Sequence, residues 1–267
     1  MSSDLAHPLM HLTPEDKRWA SDAAKRFRVS PSLHREDFIL HFLFNNPLFS
    51  ERREPIEYYF FDGHRSAQKL AALLLELGVD INAPHTLLEF ASGFGCVTRH
   101  LKNALPNTTV TSCDIHPKAM SFIAEHVNVA TLQSVSDPAA FSAPEAYDVI
   151  FALSFFSHMP ERTWQSWLET LFEQLKSGGH MVFTTHGANS ARNHFGNPAI
   201  PKSGFWFSAM SEQKDLDTAE YGQTIVSRDY VFRAIDKIKN ARLEVATPAG
   251  WWTHQDIWVI SKTAQDS

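Results

Sequence analysis

The chain has 267 residues, 43% of them hydrophobic, and a formal net charge of -6 at neutral pH. This length suits one large domain with a full core, or a domain with a lid, and the acidic balance argues against a broad nucleic-acid-binding surface. Two cysteines, Cys96 and Cys113, are too few for a disulfide scaffold and indicate reduced thiols in a cytoplasmic protein.

Residues 1–78 are predicted to form an N-terminal cap of helices that is rich in aromatic side chains, with "HFLFNNPLFSERREPIEYYFFDG" at its centre. The N-terminus lacks the apolar segment of a secretory signal. No apolar run approaches the roughly 20 residues that cross a bilayer. The sequence therefore predicts no membrane partner.

From residue 79 onward, short apolar runs alternate with helical patterns. Pro117 suits the first turn of a helix, and Ser227 suits an N-cap. The run after Asp148 is wholly apolar, as in a strand that is buried on both faces. The predicted elements are, in chain order, the strand "HTLLEF", a helix from Val97, the strand "TTVTSCD", the helix "PKAMSFIAEHV", the strands "VATLQSV" and "YDVIFAL", the helix "PERTWQSWLETLFEQLK" ending at Ser177-Gly178-Gly179, the strand "HMVFTTH", the helix "SRDYVFRAIDKIKN", and the strands "ARLEVATP" and "HQDIWVISK".

This alternation predicts an α/β fold with a doubly wound, seven-stranded, mostly parallel sheet and an antiparallel last strand, plus the N-terminal helical segment. A long irregular connection, residues 187–224, stands outside the alternation. Loops of this length are usually functional or disordered, and its aromatic side chains favour an ordered lid. The domain predicted to follow the cap is therefore a core over residues 79–267 that carries a lid over residues 187–224.

The turn after the first predicted strand, "LLEFASGFGCVTRHL", allows two interpretations. A dinucleotide site requires G-x-G-x-x-G, but only Gly93 and Gly95 are glycine and Ala91 fills the first position. The turn also follows an acid, Glu89, and a carboxylate there suits a cationic ammonium better than a phosphate. The pattern therefore opposes a pyrophosphate ligand.

A second acid, Asp114, ends the strand "TTVTSCD". A carboxylate at that position accepts hydrogen bonds from ribose hydroxyls in both nicotinamide and adenosyl cofactors. Together with Glu89 it indicates a nucleoside that carries an amino acid, which is S-adenosylmethionine. A dinucleotide-dependent oxidoreductase and a non-catalytic S-adenosylmethionine-binding protein stay open as alternatives.

These motifs resemble those of the class I S-adenosylmethionine-dependent methyltransferases of small-molecule type, over residues 86–262. The resemblance implies that Glu89 orients the methionyl ammonium and that Asp114 binds the ribose. It also implies that the backbone of the turn approaches the cofactor, with Ala91 in place of the usual first glycine and with Gly93 and Gly95 retained. Three further residues are expected at the adenine, namely Ile115, Ser134 and Val135.

The acceptor is indicated by the segment after the fourth predicted strand, Leu153-Ser154-Phe155-Phe156. Methylases of nucleic-acid amino groups carry an Asn/Asp-Pro-Pro-aromatic sequence there, so that chemistry is not supported. The following "FSHMPE" and "GGHMVFTTHG" are similar to bacterial methylases of small molecules or sugars. We therefore expect methyl transfer to a small-molecule acceptor, such as a sugar or natural product, and no nucleic-acid partner.

A hydroxyl acceptor must lose a proton, and histidine is the natural base because its ordinary pKa lies near neutrality. His158 and His186 follow the fourth and fifth strands, and His254 begins the last strand, so the catalytic candidates are His186 and His158 ahead of His254. No His or Cys spacing typical of a metal site occurs, and no structural metal is expected. The sequence does not specify an oligomeric state.

Overall fold

The computed structural model describes residues 9–211, 213 and 215–264. The chain divides into two compact units, Met1–Ser134 and Val135–Ser267. The helices of the predicted 1–78 cap lie in the first unit, together with the first three strands. The cap boundary at residue 78 and the lid over residues 187–224 stay predictions.

The first unit begins with three helices, α1 (Pro14–Phe27), α2 (Phe38–Phe44) and α3 (Glu54–Glu76). Helix α1 starts with a capping box, in which the Thr13 hydroxyl accepts from the Asp16 amide and the Asp16 carboxylate accepts from the Thr13 amide. Arg52 also pairs with Asp16, at 2.8 Å. The three helices pack around a buried cluster that includes Leu40, Ile56 and Tyr59.

Three parallel strands follow in this unit, in the spatial order β3-β2-β1. Their bounds, with the intervening helices, are β1 (His85–Phe90), α4 (Thr98–Ala104), β2 (Thr108–Asp114), α5 (Pro117–Phe122), continued by one π turn (Ile123–Val127), and β3 (Ala130–Gln133). Glu89 pairs with Ser112 in the register of β1 and β2. Because parallel strands end at one edge, the turn after β1 and Asp114 at the end of β2 come together.

The second unit contains the remaining elements. A 3-10 turn (Pro138–Ala140) precedes β4, and the bounds are β4 (Tyr147–Ala152), α6 (Glu161–Glu173), β5 (Leu175–His186), α7 (Ala188–His194), β6 (Phe205–Ser208), β7 (Gln223–Val226), α8 (Arg228–Asp236), β8 (Ala241–Trp251) and β9 (Gln255–Lys262). Strand β5 is parallel to β4 and antiparallel to β9, which pairs antiparallel with β8. The predicted fold class, with its antiparallel last strand, is confirmed. No helix in the described ranges is long and apolar enough to cross a membrane.

Two local predictions were wrong. Helix α6 ends at Glu173, before the predicted stop at Ser177-Gly178-Gly179, and strand β5 already begins at Leu175. Gly179 instead serves close packing, because a Cβ there would lie 3.0 Å from the Asp148 carbonyl oxygen, whereas Gly178 has a left-handed backbone with φ of 79°. The connection over residues 187–224 is also not irregular throughout, since it holds α7, the short strand β6 and the start of β7.

Candidate functional site

The turn after β1, residues 91–95, is named the glycine turn below. Three of its residues have left-handed backbone conformations, with φ of 59° at Ala91, 55° at Gly93 and 80° at Gly95. A Cβ on Gly95 would lie 3.3 Å from the Ile123 side chain, whereas a Cβ on Gly93 would have no neighbour within 4 Å. Gly93 therefore faces open space in which a ligand can approach the backbone.

Glu89 lies immediately before this turn, on β1, and only 4% of it is exposed. Its Oε2 accepts a hydrogen bond of 2.5 Å from the Thr98 hydroxyl. Burial raises the pKa of Glu89 to about 8, the Thr98 hydrogen bond lowers it, and the charge of Asp114 raises it further. None of these influences comes from a basic side chain. A cationic ligand group would supply the missing counter-charge, and the ammonium of S-adenosylmethionine fits that requirement.

Asp114 is buried at the end of β2 and holds the glycine turn. Its Oδ2 accepts from the Gly93 amide at 2.8 Å, and its Oδ1 accepts from the His116 amide at 3.0 Å. His116 was not among the predicted site residues, although its Nδ1 lies 2.8 Å from the same Oδ1. A carboxylate at the end of the second strand is the group that accepts from ribose hydroxyls in nucleotide-binding sheets of this kind.

The three residues expected at the adenine lie at the ends of β2 and β3. The Ser134 amide donates to the Asp114 carbonyl oxygen at 2.9 Å, and Gln133 Nε2 donates to the Ile115 carbonyl oxygen at 2.6 Å. Ser134 is buried, and Val135 is 37% exposed. The structure thus brings Ile115 and Ser134 close to Asp114.

In the second unit the three predicted histidines lie close together. His186 ends β5, His158 lies in the loop after β4, and His254 precedes β9. The ring centroids of His158 and His186 are 6.2 Å apart, and those of His186 and His254 are 6.0 Å apart. The described part of the chain contains no group of three His, Cys, Asp or Glu residues arranged to hold a metal ion.

Hydrogen bonds assign the tautomers of these rings. His158 Nδ1 lies 2.8 Å from the Gly222 carbonyl oxygen, and His254 Nδ1 lies 3.0 Å from the Trp252 carbonyl oxygen. A carbonyl oxygen only accepts, so Nδ1 carries the hydrogen and Nε2 has the lone pair in both rings. This is the arrangement of a base that acts through Nε2.

His186 is held differently, by Gln255, which was not predicted. The Thr184 hydroxyl donates to Gln255 Oε1 at 2.6 Å, so the amide nitrogen points to Ser154 Oγ at 2.8 Å and to His186 Nε2 at 3.2 Å. An amide nitrogen only donates, and His186 Nε2 therefore accepts. The sequence signal for Gln255 was its position next to His254. Its partner Ser154 has a left-handed backbone conformation, with φ of 61°.

Burial favours the neutral form of all three imidazoles. Burial lowers the pKa of His158 to about 4 and lowers the pKa of His254. Burial also lowers the pKa of His186 well below its ordinary value, and the neighbouring histidines lower it further. Aromatic rings surround the group, since Tyr221 stacks on His158 at 4.5 Å and Phe195 lies 4.9 Å from His186. The histidine rings can therefore accept protons, and the aromatic rings beside them offer apolar contacts to a bound molecule.

Comparison with known proteins identifies a methyltransferase domain. Residues 88–181 match the model of a methyltransferase domain. A tRNA N(3)-methylcytidine methyltransferase of Schizosaccharomyces pombe, trm141, is 27% identical over 205 residues, which are 66% of this chain and 79% of that protein.

Two solved structures show the same fold. An S-adenosylmethionine-dependent methyltransferase from Clostridium acetobutylicum has a TM-score of 0.55 at 10% identity, covering 75% of this chain and 92% of its own. The plantazolicin methyltransferase BpumL, in a complex with S-adenosylhomocysteine, has a TM-score of 0.55 at 13% identity, covering 94% of this chain and 97% of its own. The oxidoreductase alternative is therefore set aside. The domain match identifies a methyltransferase domain over residues 88–181, in the fold of S-adenosylmethionine-dependent methyltransferases and with S-adenosylmethionine as its cofactor.

Proposed function

We propose that this methyltransferase transfers a methyl group to a hydroxyl of an uncharged small molecule, such as a sugar or natural product, and that His158 is the base. The observation that carries the proposal is the fixed ring of His158. The Gly222 carbonyl oxygen holds its Nδ1 hydrogen at 2.8 Å and the Tyr221 ring stacks on it, so Nε2 keeps a lone pair. His254 is the second choice, because its tautomer is the same.

His186 serves better as an orienting group than as a base, because its Nε2 accepts from Gln255. The cofactor supplies an electrophilic methyl group on a sulfonium. When an acceptor hydroxyl receives this methyl group, His158 Nε2 would take the hydroxyl proton. Burial lowers the pKa of His158, which favours the unprotonated ring that a base requires.

In this proposal the cofactor binds at the ends of strands β1, β2 and β3. Glu89 pairs with the methionyl ammonium and Asp114 accepts from the ribose hydroxyls. Gly93 and Gly95, with Ala91, present backbone to the ligand. The adenine lies against Ile115, Ser134 and Val135. The observation that supports this placement best is the buried Glu89, whose pKa is not lowered by any basic side chain in the part of the chain that the structure describes.

A nucleic-acid acceptor is the second candidate, because the Schizosaccharomyces pombe relative is named for tRNA methylation. Polyanion binding normally requires clustered Lys and Arg, whereas this chain has 24 Lys and Arg against 30 Asp and Glu. Aromatic rings lie beside two of the three histidines, namely Tyr221 at His158 and Phe195 at His186. We therefore favour an acceptor without phosphates.

The test is transfer of a radiolabelled methyl group to a panel of sugars, phenolic natural products and tRNA. Labelled sugar or phenol ether supports the proposal, and labelling of tRNA alone refutes the acceptor class. With the acceptor found, His158→Asn should lower kcat by roughly 10²–10⁴-fold and leave cofactor affinity unchanged. His194→Asn is the matched control, because this ring is exposed and contacts His254, not His158. An unimpaired His158→Asn enzyme would contradict the assignment of the base.

A further inference from the structure

Arg99, in α4, is a buried cation that the predicted site does not use, and only 6% of it is exposed. All five of its N–H groups have oxygen partners, which are the carbonyl oxygens of Gly95 (from Nε, 2.8 Å), Ser30 (from Nη1, 3.0 Å), Ser32 (from Nη1, 2.9 Å) and Phe94 (from Nη2, 3.3 Å) and the hydroxyl of Tyr59 (from Nη2, 3.3 Å). A guanidinium can be buried when every donor is matched in this way.

Arg99 is also connected to a carboxyl group. Tyr59 accepts from Arg99 and donates to Asp37 Oδ2 at 2.6 Å, so the hydroxyl links cation and carboxyl. The rings of Tyr59 and Phe60 both lie 5.2 Å from the guanidinium carbon. Asp37 in turn caps α2 through the Leu40 amide, at 3.2 Å. Arg99 is thus part of one continuous buried network in the first unit.

This network joins two segments that are distant in sequence. Residues 30–37, between α1 and α2, are named the strap. The strap supplies the carbonyl oxygens of Ser30 and Ser32, and its His34 ring stacks on Phe94 of the glycine turn at 4.4 Å and 10°. At the surface, Glu36 of the strap pairs with Lys118 at 2.8 Å. The strap therefore contacts the glycine turn both directly and through Arg99.

We infer that Arg99 is a positioning residue for cofactor binding, which fixes the glycine turn from its buried side and couples it to the strap. Two successive carbonyl groups of the turn, those of Phe94 and Gly95, point at one guanidinium. Because a peptide unit is planar, fixing its carbonyl fixes its N–H as well. These peptide planes of the glycine turn are then set before the ligand arrives, and occupancy of the turn stabilises the strap through the same group.

This inference rests on the proposed cofactor site at the glycine turn. It does not depend on the acceptor or on any histidine, so its readout is cofactor binding and not turnover. Failure of the proposed acceptor leaves it unaffected.

The variant to test is Arg99→Lys, since a single ammonium cannot reach five oxygens that surround a planar fork. We expect the Kd for S-adenosylmethionine, measured by titration calorimetry, to rise by roughly tenfold or more. Tyr59→Phe is the matched control, because it perturbs the same buried network and so tests for a general loss of stability. It removes the link between Arg99 and Asp37 but leaves the bonds to Gly95 and Phe94, and its Kd should stay within about threefold of wild type.

The second readout is hydrogen exchange of the strap amides. In the wild-type protein the cofactor should slow exchange over residues 30–37, and in Arg99→Lys this protection should be lost. His34→Ala, which keeps Arg99 but removes the ring from Phe94, should reduce the protection only in part, and it replaces Arg99→Lys if that variant does not fold. Wild-type affinity in Arg99→Lys overturns the inference. An equal loss of cofactor affinity in Tyr59→Phe would also overturn it. The same holds if hydrogen exchange of the strap in the wild-type protein is unchanged by the cofactor.

Discussion

Glu89→Gln should make the ligand-free protein more stable at alkaline pH while it destroys cofactor binding. The pKa of Glu89 is about 8 in the folded protein, mainly because of burial, against an ordinary value of 4.5. Between these values the folded protein holds one proton more than the unfolded chain, so its stability falls as pH rises. Glutamine has the same shape and no charge, and its oxygen can still accept from Thr98.

The magnitude follows from the shift. The raised pKa of Glu89 lowers the free energy of unfolding of the wild-type protein by about 2 kcal/mol at pH 6. This reduction reaches about 5 kcal/mol above pH 8 and is constant at higher pH. The free energy of unfolding of Glu89→Gln relative to wild type should therefore rise by about 3 kcal/mol between pH 6 and pH 9. Urea unfolding at the two pH values measures this difference. Glu125→Gln, at an exposed carboxylate, is the control and should show no comparable change.

Cofactor binding provides the complementary measurement. A ligand ammonium requires the Glu89 carboxylate, so binding near pH 7 should release close to one proton from the wild-type protein and none from Glu89→Gln. Calorimetry in two buffers of different ionisation enthalpy counts these protons. The reasoning is refuted if the relative stability of Glu89→Gln is independent of pH, or if the wild-type protein releases no proton on binding.

Three other outcomes are expected. Asp114→Ala should weaken cofactor affinity by about 1.5–3 kcal/mol in calorimetric titration, because it removes a charged acceptor, and an unchanged affinity would remove Asp114 from the site. Ala91→Gly should change the free energy of unfolding by no more than about 1 kcal/mol, because relief of the strained φ of 59° opposes the greater chain entropy of glycine, and a larger loss in thermal unfolding would contradict this. The connection over residues 187–224 should become resistant to limited proteolysis when cofactor and acceptor are added, as a lid would, and cleavage indifferent to both would refute the lid.

Sequence periodicity was sufficient for the elements that are long and regular. Strands β1 and β2 were predicted with the bounds that the structure gives them, and Glu89 and Asp114 were placed from those strands alone. Strands β6 and β7 were missed because each has four residues, too few to show an alternating pattern.

Contacts between distant residues could not be predicted from periodicity. Arg99 bonds to Ser30 across 69 positions, and Gln255 bonds to Ser154 across 101 positions. Each contact depends on the tertiary fold, and neither residue belongs to a recognisable motif. The tautomers of His158 and His186 likewise depend on Gly222 and Gln255, which lie far along the chain.

Gly222 packs closely against His158 and Ser208, and this packing limits which segments can be exchanged with related enzymes in a chimera. Its carbonyl oxygen holds His158, its amide donates to the His158 carbonyl oxygen at 2.9 Å, and a Cβ there would lie 2.3 Å from the Ser208 carbonyl oxygen. The Thr224 amide also donates to the Ser157 carbonyl oxygen at 2.8 Å. The end of the connection over residues 187–224 therefore supports the loop that carries His158. A chimera that imports a foreign connection up to residue 220 keeps the register of His158, whereas one that continues through Thr224 replaces the support of that ring along with the loop.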